Sequence, residues 1–201
     1  MTPSGDRTPI SVETEVRLRG LMVALERWNP AVNLVSRATL PVAWSRHILD
    51  SLQLLDLVPA KARHWADLGS GGGFPGLVVA IAALETHPDL RVTLVEADQR
   101  KATFLRETAR ALGVTVAVEA VRIEALRPLQ ADVVSARALA PLAQLWAYAD
   151  RHLAQEGVGL FLKGDGHASE VEEARARFPL RIETLPSRLD GGGVVLRVRR
   201  D

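Results

Sequence analysis

From Trp65 onward, short apolar runs alternate with longer stretches in which apolar positions recur every three or four residues. The first pattern predicts buried strands and the second amphipathic helices. Strands are expected at Trp65-Ala66 and over residues 91–96, 115–118, 132–135 and 157–162. Helices are expected behind Pro75 and over 99–112, 141–153 and 168–177, with Gly113 closing the second of them as glycine does just past a helix end. Two β-like runs, 180–185 and 194–199, finish the chain and are joined through residues 190–193. Such alternation predicts an α/β fold, a mostly parallel, doubly wound sheet with right-handed crossovers. The closing pair forms an antiparallel hairpin. Ahead of this pattern, residues 11–28 read as an amphipathic helix with Ser11 as N-cap and Asn29-Pro30 at its end. Residues 39–57 read as a second helical region. The expected organisation is a helical extension over 1–59 packed on a core of 60–201.

The first strand runs into residues 64–76, HWADLGSGGGFPG. Asp67 precedes Gly69, Gly71, Gly72, Gly73 and Gly76, and Pro75 opens an apolar helix. Without Cβ atoms such a turn adopts left-handed conformations and lets a ligand lie against bare backbone. Two cofactor classes use it. Gly71-x-Gly73-x-x-Gly76 fits the dinucleotide pattern, with Glu96 twenty residues beyond as a holder of the ribose diol. An acid two residues before Gly-x-Gly-x-Gly also fits the S-adenosylmethionine pattern. Asp67 would then stand near the amino-acid end of the cofactor and Glu96 on its ribose. Ligands of these sheets bind at the carboxyl ends of the strands. Gly69, Glu96, Glu124, Arg137 and Lys163 all follow expected strands, so the fold would gather them at one rim.

Composition narrows the chemistry. A chain of 201 residues with 47% apolar content has the size and make-up of one globular unit. No apolar stretch approaches the ~20 residues of a membrane span, and the polar start lacks a signal-peptide apolar region. There are no cysteines, which removes disulfides, thiolate metal sites and a cysteine nucleophile and fits a cytoplasmic enzyme. Net charge is +1, so overall charge does not announce a nucleic-acid binder. A basic face is still open to the chain, whose 25 basic residues are arginine except Lys61, Lys101 and Lys163.

A short-chain dehydrogenase would show Tyr-x-x-x-Lys, but the only tyrosine, Tyr148, is followed four residues on by His152. That favours methyl transfer. Methylation at pyrimidine C5 usually needs a cysteine nucleophile. Methylation of exocyclic amines uses an Asn/Asp-Pro-Pro-aromatic loop after strand four, where this chain has Ser135-Ala136-Arg137-Ala138. Guanine N7 already carries a free lone pair, so its methylation needs no base, only positioning and electrostatics.

The chain carries Trp28-Asn29, Asn33-Leu34-Val35-Ser36, Arg46-His47-Ile48-Leu49-Asp50-Ser51 and the stretch from Asp67 to Gly76. With them stand Arg100-Lys101, Phe104-Leu105-Arg106, Ser135-Ala136-Arg137-Ala138, Pro141-Leu142 and Leu162-Lys163-Gly164. On these residues the chain resembles, nearly end to end, the GidB/RsmG family of bacterial 16S ribosomal RNA guanine-N7 methyltransferases. The resemblance implies a Rossmann-like class I fold, S-adenosyl-L-methionine as cofactor and N7 methylation of a guanosine near the decoding site. The partner implied is 16S ribosomal RNA or the small subunit, for a monomer working in the cytoplasm without a membrane. By the same resemblance Gly69 and Phe74 line the cofactor pocket, Ile123 and Glu124 lie beside the adenine, and Arg137 borders the transfer site. Glu96 or Asp98 would hold the ribose. Glu170 is the best match to the family's acid after the Lys-Gly pair. Arg137 is expected to orient the target, Lys163 to meet RNA phosphate, and His47 with Asp50 to shape a lid. A small-molecule methyltransferase and a non-catalytic RNA-binding protein on the same fold remain open alternatives.

Overall fold

The computed structural model describes residues 10–188 and 193–201. Seven strands form one sheet in the order β3-β2-β1-β4-β5-β7-β6. They are β1 (His64–Leu68), β2 (Arg91–Val95), β3 (Ala117–Glu119), β4 (Ala131–Arg137), β5 (Leu153–Lys163), β6 (Leu180–Pro186) and β7 (Val194–Arg200). The first five are mutually parallel, and β7 runs antiparallel to both β5 and β6. The chain reverses direction across the sheet between β1 and β4, where a doubly wound sheet opens its crevice.

Alternation along each strand divides the core. Trp65, Val133, Leu160 and Val195 face one side, where α1 (Val12–Val32), α3 (Gly76–Thr86) and α4 (Gln99–Ala111) pack. Ala66, Val134, Phe161 and Leu196 face the other, covered by α5 (Leu142–His152) and α6 (His167–Arg177). Both faces of β1 are therefore buried, and its five residues are all inaccessible, as a central parallel strand requires.

Several boundaries depart from the sequence pattern. Ser11 caps α1 by accepting from Thr14 N–H at 3.1 Å, as expected, but the helix runs past Pro30 to Val32. It stops at Asn33, whose left-handed backbone (φ 53°) turns its N–H onto Asn29 O. The buried Asn29 side chain then accepts from Val35 N–H at 2.9 Å and fixes the exit of the chain. Residues 39–57 are not one regular helix. A 3₁₀ turn over Arg37–Val42 leads to a wide π turn over Trp44–Leu49, one α turn labelled α2 (Asp50–Leu52), and a 3₁₀ turn over Gln53–Leu57. Pro41 lacks the N–H that a regular helix would need there. β5 begins at Leu153 rather than Gly157, with a register irregularity opposite Ala131 and Val133. The expected joint at 190–193 lies outside the described residues except for Gly193.

Candidate active site

The carboxyl ends of β1, β2 and β4 open into a cleft of about 470 Å³, within the usual range for small-molecule sites. Gly69, Gly71, Glu96, Ile123, Glu124 and Arg137 all line it. The strand-end residues singled out in the sequence are thus brought together, apart from Lys163.

The turn that forms one wall is tied to β2: Gly69 and Ser70 N–H both donate to Val95 O, at 2.9 and 3.1 Å. Gly69 has φ +69°, and a Cβ there would come within 2.7 Å of Leu139. Gly76 answers a different need. A Cβ on it would lie 2.5 Å from both Asp67 Cβ and Leu94 Cδ2, so only glycine lets α3 start this close to β1.

Beneath the turn, Asp67 is fully buried. The register of β1 on β4 sets it beside Ser135, whose hydroxyl donates to its Oδ1 at 2.6 Å. Trp65 Nε1–H donates in turn to Ser135 Oγ at 2.7 Å. Burial pushes the Asp67 carboxyl up to about 6, against the stabilising hydroxyl of Ser135. Asp67 therefore shapes the floor from below and does not form part of the cleft wall.

At the β2 end, Glu96 accepts from Gly71 N–H and Asp98 N–H, each at 2.8 Å, through different carboxylate oxygens. Asp98 is occupied elsewhere, capping α4 by accepting from Arg100 and Lys101 N–H, which holds its carboxyl below the usual range. Of the two acids, Glu96 faces the cleft. Opposite, α5 clamps the turn that carries Ile123 and Glu124. His152 pairs through Nε2 with Ile123 O at 3.1 Å and Arg151 Nη2 donates to Leu126 O at 3.0 Å.

Tyr148, Gln144 and Leu139 also line the cleft, and the sequence reading did not place them there. A signal existed. Gln144, Tyr148 and His152 recur four residues apart and form one polar stripe on an amphipathic helix.

At the far end Arg137, the last residue of β4, reaches the 44–50 segment. Its Nη1 donates to Arg46 O at 3.0 Å and lies 3.9 Å from Asp50 Oδ2, while its Nη2 donates to His47 Nδ1. The guanidinium carbon stands 5.5 Å from the centre of the Phe74 ring, a cation–π distance. Phe74 itself is buried against the His47 ring, centroids 4.9 Å apart, and supports Arg137 without lining the cleft. Asp50 Oδ1 accepts from Gln53 Nε2 at 2.7 Å and Ser187 Oγ at 3.2 Å, so the expected lid is pinned to the loop after β6. Burial raises the Asp50 carboxyl.

Lys163 departs from expectation. Its side chain is only 9% exposed, and its ammonium donates to Ala140 O at 2.6 Å and pairs with Glu170 at 2.6 Å. Glu170 also accepts Leu142 N–H at 2.7 Å. Together they brace the loop between β4 and α5, and no free cation is offered to a phosphate here. No group of residues suited to a metal ion occurs among the described residues.

The profile of the family described as rRNA small subunit methyltransferase G (GidB) matches residues 15–185. The chain belongs to this family. Curated members named ribosomal RNA small subunit methyltransferase G agree with it along most of its length. One from Cereibacter sphaeroides is 50% identical over 190 residues, covering 94% of this chain and 92% of its own. One from Parvibaculum lavamentivorans is 50% identical over 194 residues, covering 96% and 85%. Among solved structures, a ribosomal protein L11 methylase from Lactobacillus delbrueckii subsp. bulgaricus superposes with a TM-score of 0.63 at 20% identity, covering 78% of this chain and 79% of that one. An S-adenosylmethionine-dependent O-methyltransferase from Thermotoga maritima gives 0.58 at 15% identity, covering 76% and 65%. These likenesses show that this GidB-family chain has the fold of class I methyltransferases.

Proposed function

We propose that this GidB-family protein transfers a methyl group from S-adenosyl-L-methionine to N7 of a guanosine in 16S ribosomal RNA. The observation that carries the reading is the cleft itself. A glycine turn with exposed backbone, the carboxylates of Glu96 and Glu124 and the guanidinium of Arg137 converge on it, and among the described residues no acid–base pair is poised over it. Held there, S-adenosylmethionine would supply a sulfonium methyl, which the free lone pair of guanine N7 could take as the C–S bond breaks, leaving the thioether and losing no proton. The donor set suits that cofactor. Glu96, with one hydrogen bond on each oxygen, keeps lone pairs for ribose hydroxyls. Val95, Ile123 and Tyr148 offer apolar surface for a purine, with Glu124 at its edge. Asp67 sets the shape of the turn at the amino-acid end.

Arg137 orients the target phosphate or base. Of its five N–H donors, Nη1 and Nη2 each commit one to the lid, which leaves others for a ligand in the cleft it lines. Lys163 and Glu170 act indirectly, by holding the loop that carries Leu139 over Gly69. The segment ahead of β1, through residue 59, serves as an extension packed on a methyltransferase domain of residues 60–201. Support comes from the single apolar cluster that Leu18, Leu21 and Leu25 share with Leu77, Ile81 and Phe104. The enzyme is read as a monomer acting in the cytoplasm, where its RNA is.

The test uses labelled S-adenosylmethionine with ribosomal RNA, free and in small-subunit particles, from cells lacking this enzyme. Labelled N7-methylguanosine after nuclease digestion is the expected product. Cofactor binding with no label in RNA would overturn the assignment of substrate.

A further inference from the structure

His47 lies 90 residues before Arg137 in the chain and is 3% exposed, yet both of its ring nitrogens have partners. Arginine can only donate, so His47 Nδ1 accepts from Arg137 Nη2. The ring proton is therefore on Nε2, 3.3 Å from Thr39 Oγ1. Thr39 is ready to receive it, because its own hydroxyl proton is donated to Ser36 O at 2.9 Å. Ser36 Oγ–H also donates back to Thr39 Oγ1 at 3.3 Å, and the tautomer is fixed by the Arg137 bond, since arginine can only donate. Burial and the Arg137 charge lower the imidazole pKa to about 4, so the ring is neutral at working pH. The Arg46 carbonyl and the Phe74 face complete the seat. The charged groups around the ring are Arg46, Arg137 and Asp50. A wide π turn over Trp44–Leu49, of the kind often found at functional sites, carries the imidazole. Ser51 Oγ takes up the His47 carbonyl at 2.6 Å.

We infer that His47 is a positioning residue for methyl transfer: as a neutral acceptor through Nδ1, it aims the Arg137 guanidinium into the cleft. This rests on the role proposed above for Arg137. What matters is the acceptor at the δ position, with the ring as its support.

Two substitutions separate the acceptor from the ring. His47→Phe keeps an aromatic ring against Phe74 and removes the acceptor; His47→Asn keeps an acceptor at the δ position and removes the ring. The full chain would be assayed for RNA methylation and for S-adenosylmethionine affinity. In His47→Phe, kcat should fall about 10–100-fold with cofactor affinity unchanged, since a misaimed group costs rate rather than binding. In His47→Asn, kcat should return to within about fivefold of the parent. Equal loss in both variants, or full activity in His47→Phe, would overturn the inference. An independent reading needs no variant: the nitrogen NMR spectrum of the parent at pH 7 should show bare Nδ1 and protonated Nε2. A proton on Nδ1 would refute it. If the parent binds cofactor but never labels RNA, the functional reading itself fails, and the imidazole spectrum still reports whether the acceptor is there.

Discussion

At the Glu96 end of the cleft, the polar contacts run to backbone close by in the chain or in the neighbouring strand. Glu96 gathers the N–H groups of Gly71 and Asp98, and Asp98 caps the next helix. At the Arg137 end, the contacts join segments far apart. Arg137 reaches Arg46 and His47, and Asp50 reaches Ser187, 137 residues on. The first end is a local motif that any sheet of this topology can carry. The second exists only when the lid, the centre of the sheet and the C-terminal hairpin are all in place. On the function proposed above, the local part would hold the cofactor and the long-range part would receive the substrate.

Four measurements break or sharpen that contrast. The largest effect is expected for Arg137→Ala: methylation should fall about 100–1,000-fold, as when a preorganised donor is removed, while S-adenosylmethionine affinity stays within about threefold. Initial rates and calorimetric titration check both halves, and near-normal rates would remove Arg137 from the site.

Next comes Asp67, which lies beneath both ends. Its carboxyl is raised from 3.8 to about 6, so it binds its proton more tightly when folded. Its contribution to stability is full below pH ~4 and is lost as pH rises through ~6. Asp67→Asn should remove that loss. The stability difference between variant and parent should shift toward the variant by up to about 3 kcal/mol between pH 4 and 7. His47, lowered from 6.5 to about 4, bends the parent's own curve the other way. Only the difference between the two proteins isolates the carboxyl, and a difference independent of pH would contradict the burial argument.

Third, Gly76→Ala drives a methyl into Asp67 and Leu94 and should cost about 1–3 kcal/mol in urea unfolding. An unchanged midpoint would mean that α3 can retreat from β1. The smallest effect belongs to Glu96→Gln. Losing the charge on the expected ribose acceptor should weaken cofactor binding about tenfold, with kcat at saturating cofactor near that of the parent. If kcat falls as far as in Arg137→Ala, the two ends are not separable.

The sheet was legible in the sequence because alternating apolar runs and a glycine turn are local signals, and the order of chemistry-bearing strand ends follows from them. Gly69, Gly71, Glu96, Ile123, Glu124 and Arg137 met as the topology required. Lys163 did not read correctly, because its partners Ala140 and Glu170 come together only through the packing of α5 on α6. Nor did residues 39–57, where Pro41 interrupts the pattern, three kinds of turn replace a regular helix and Arg137 binds the Arg46 carbonyl. Helical periodicity put His47 and Asp50 on one face correctly. It carried no information that an arginine from mid-sheet would sit there.

The hydrogen bonds from Gln53 and Ser187 to Asp50 have a consequence for the order in which the molecule comes into being. A chain emerging residue by residue has its glycine turn and Glu96 when half of it has been made. The rest of the cleft lining follows by Tyr148, and the last anchor of the Arg137 seat waits for Ser187, so a nascent chain has every residue of the cleft wall before it can pin the segment beside it.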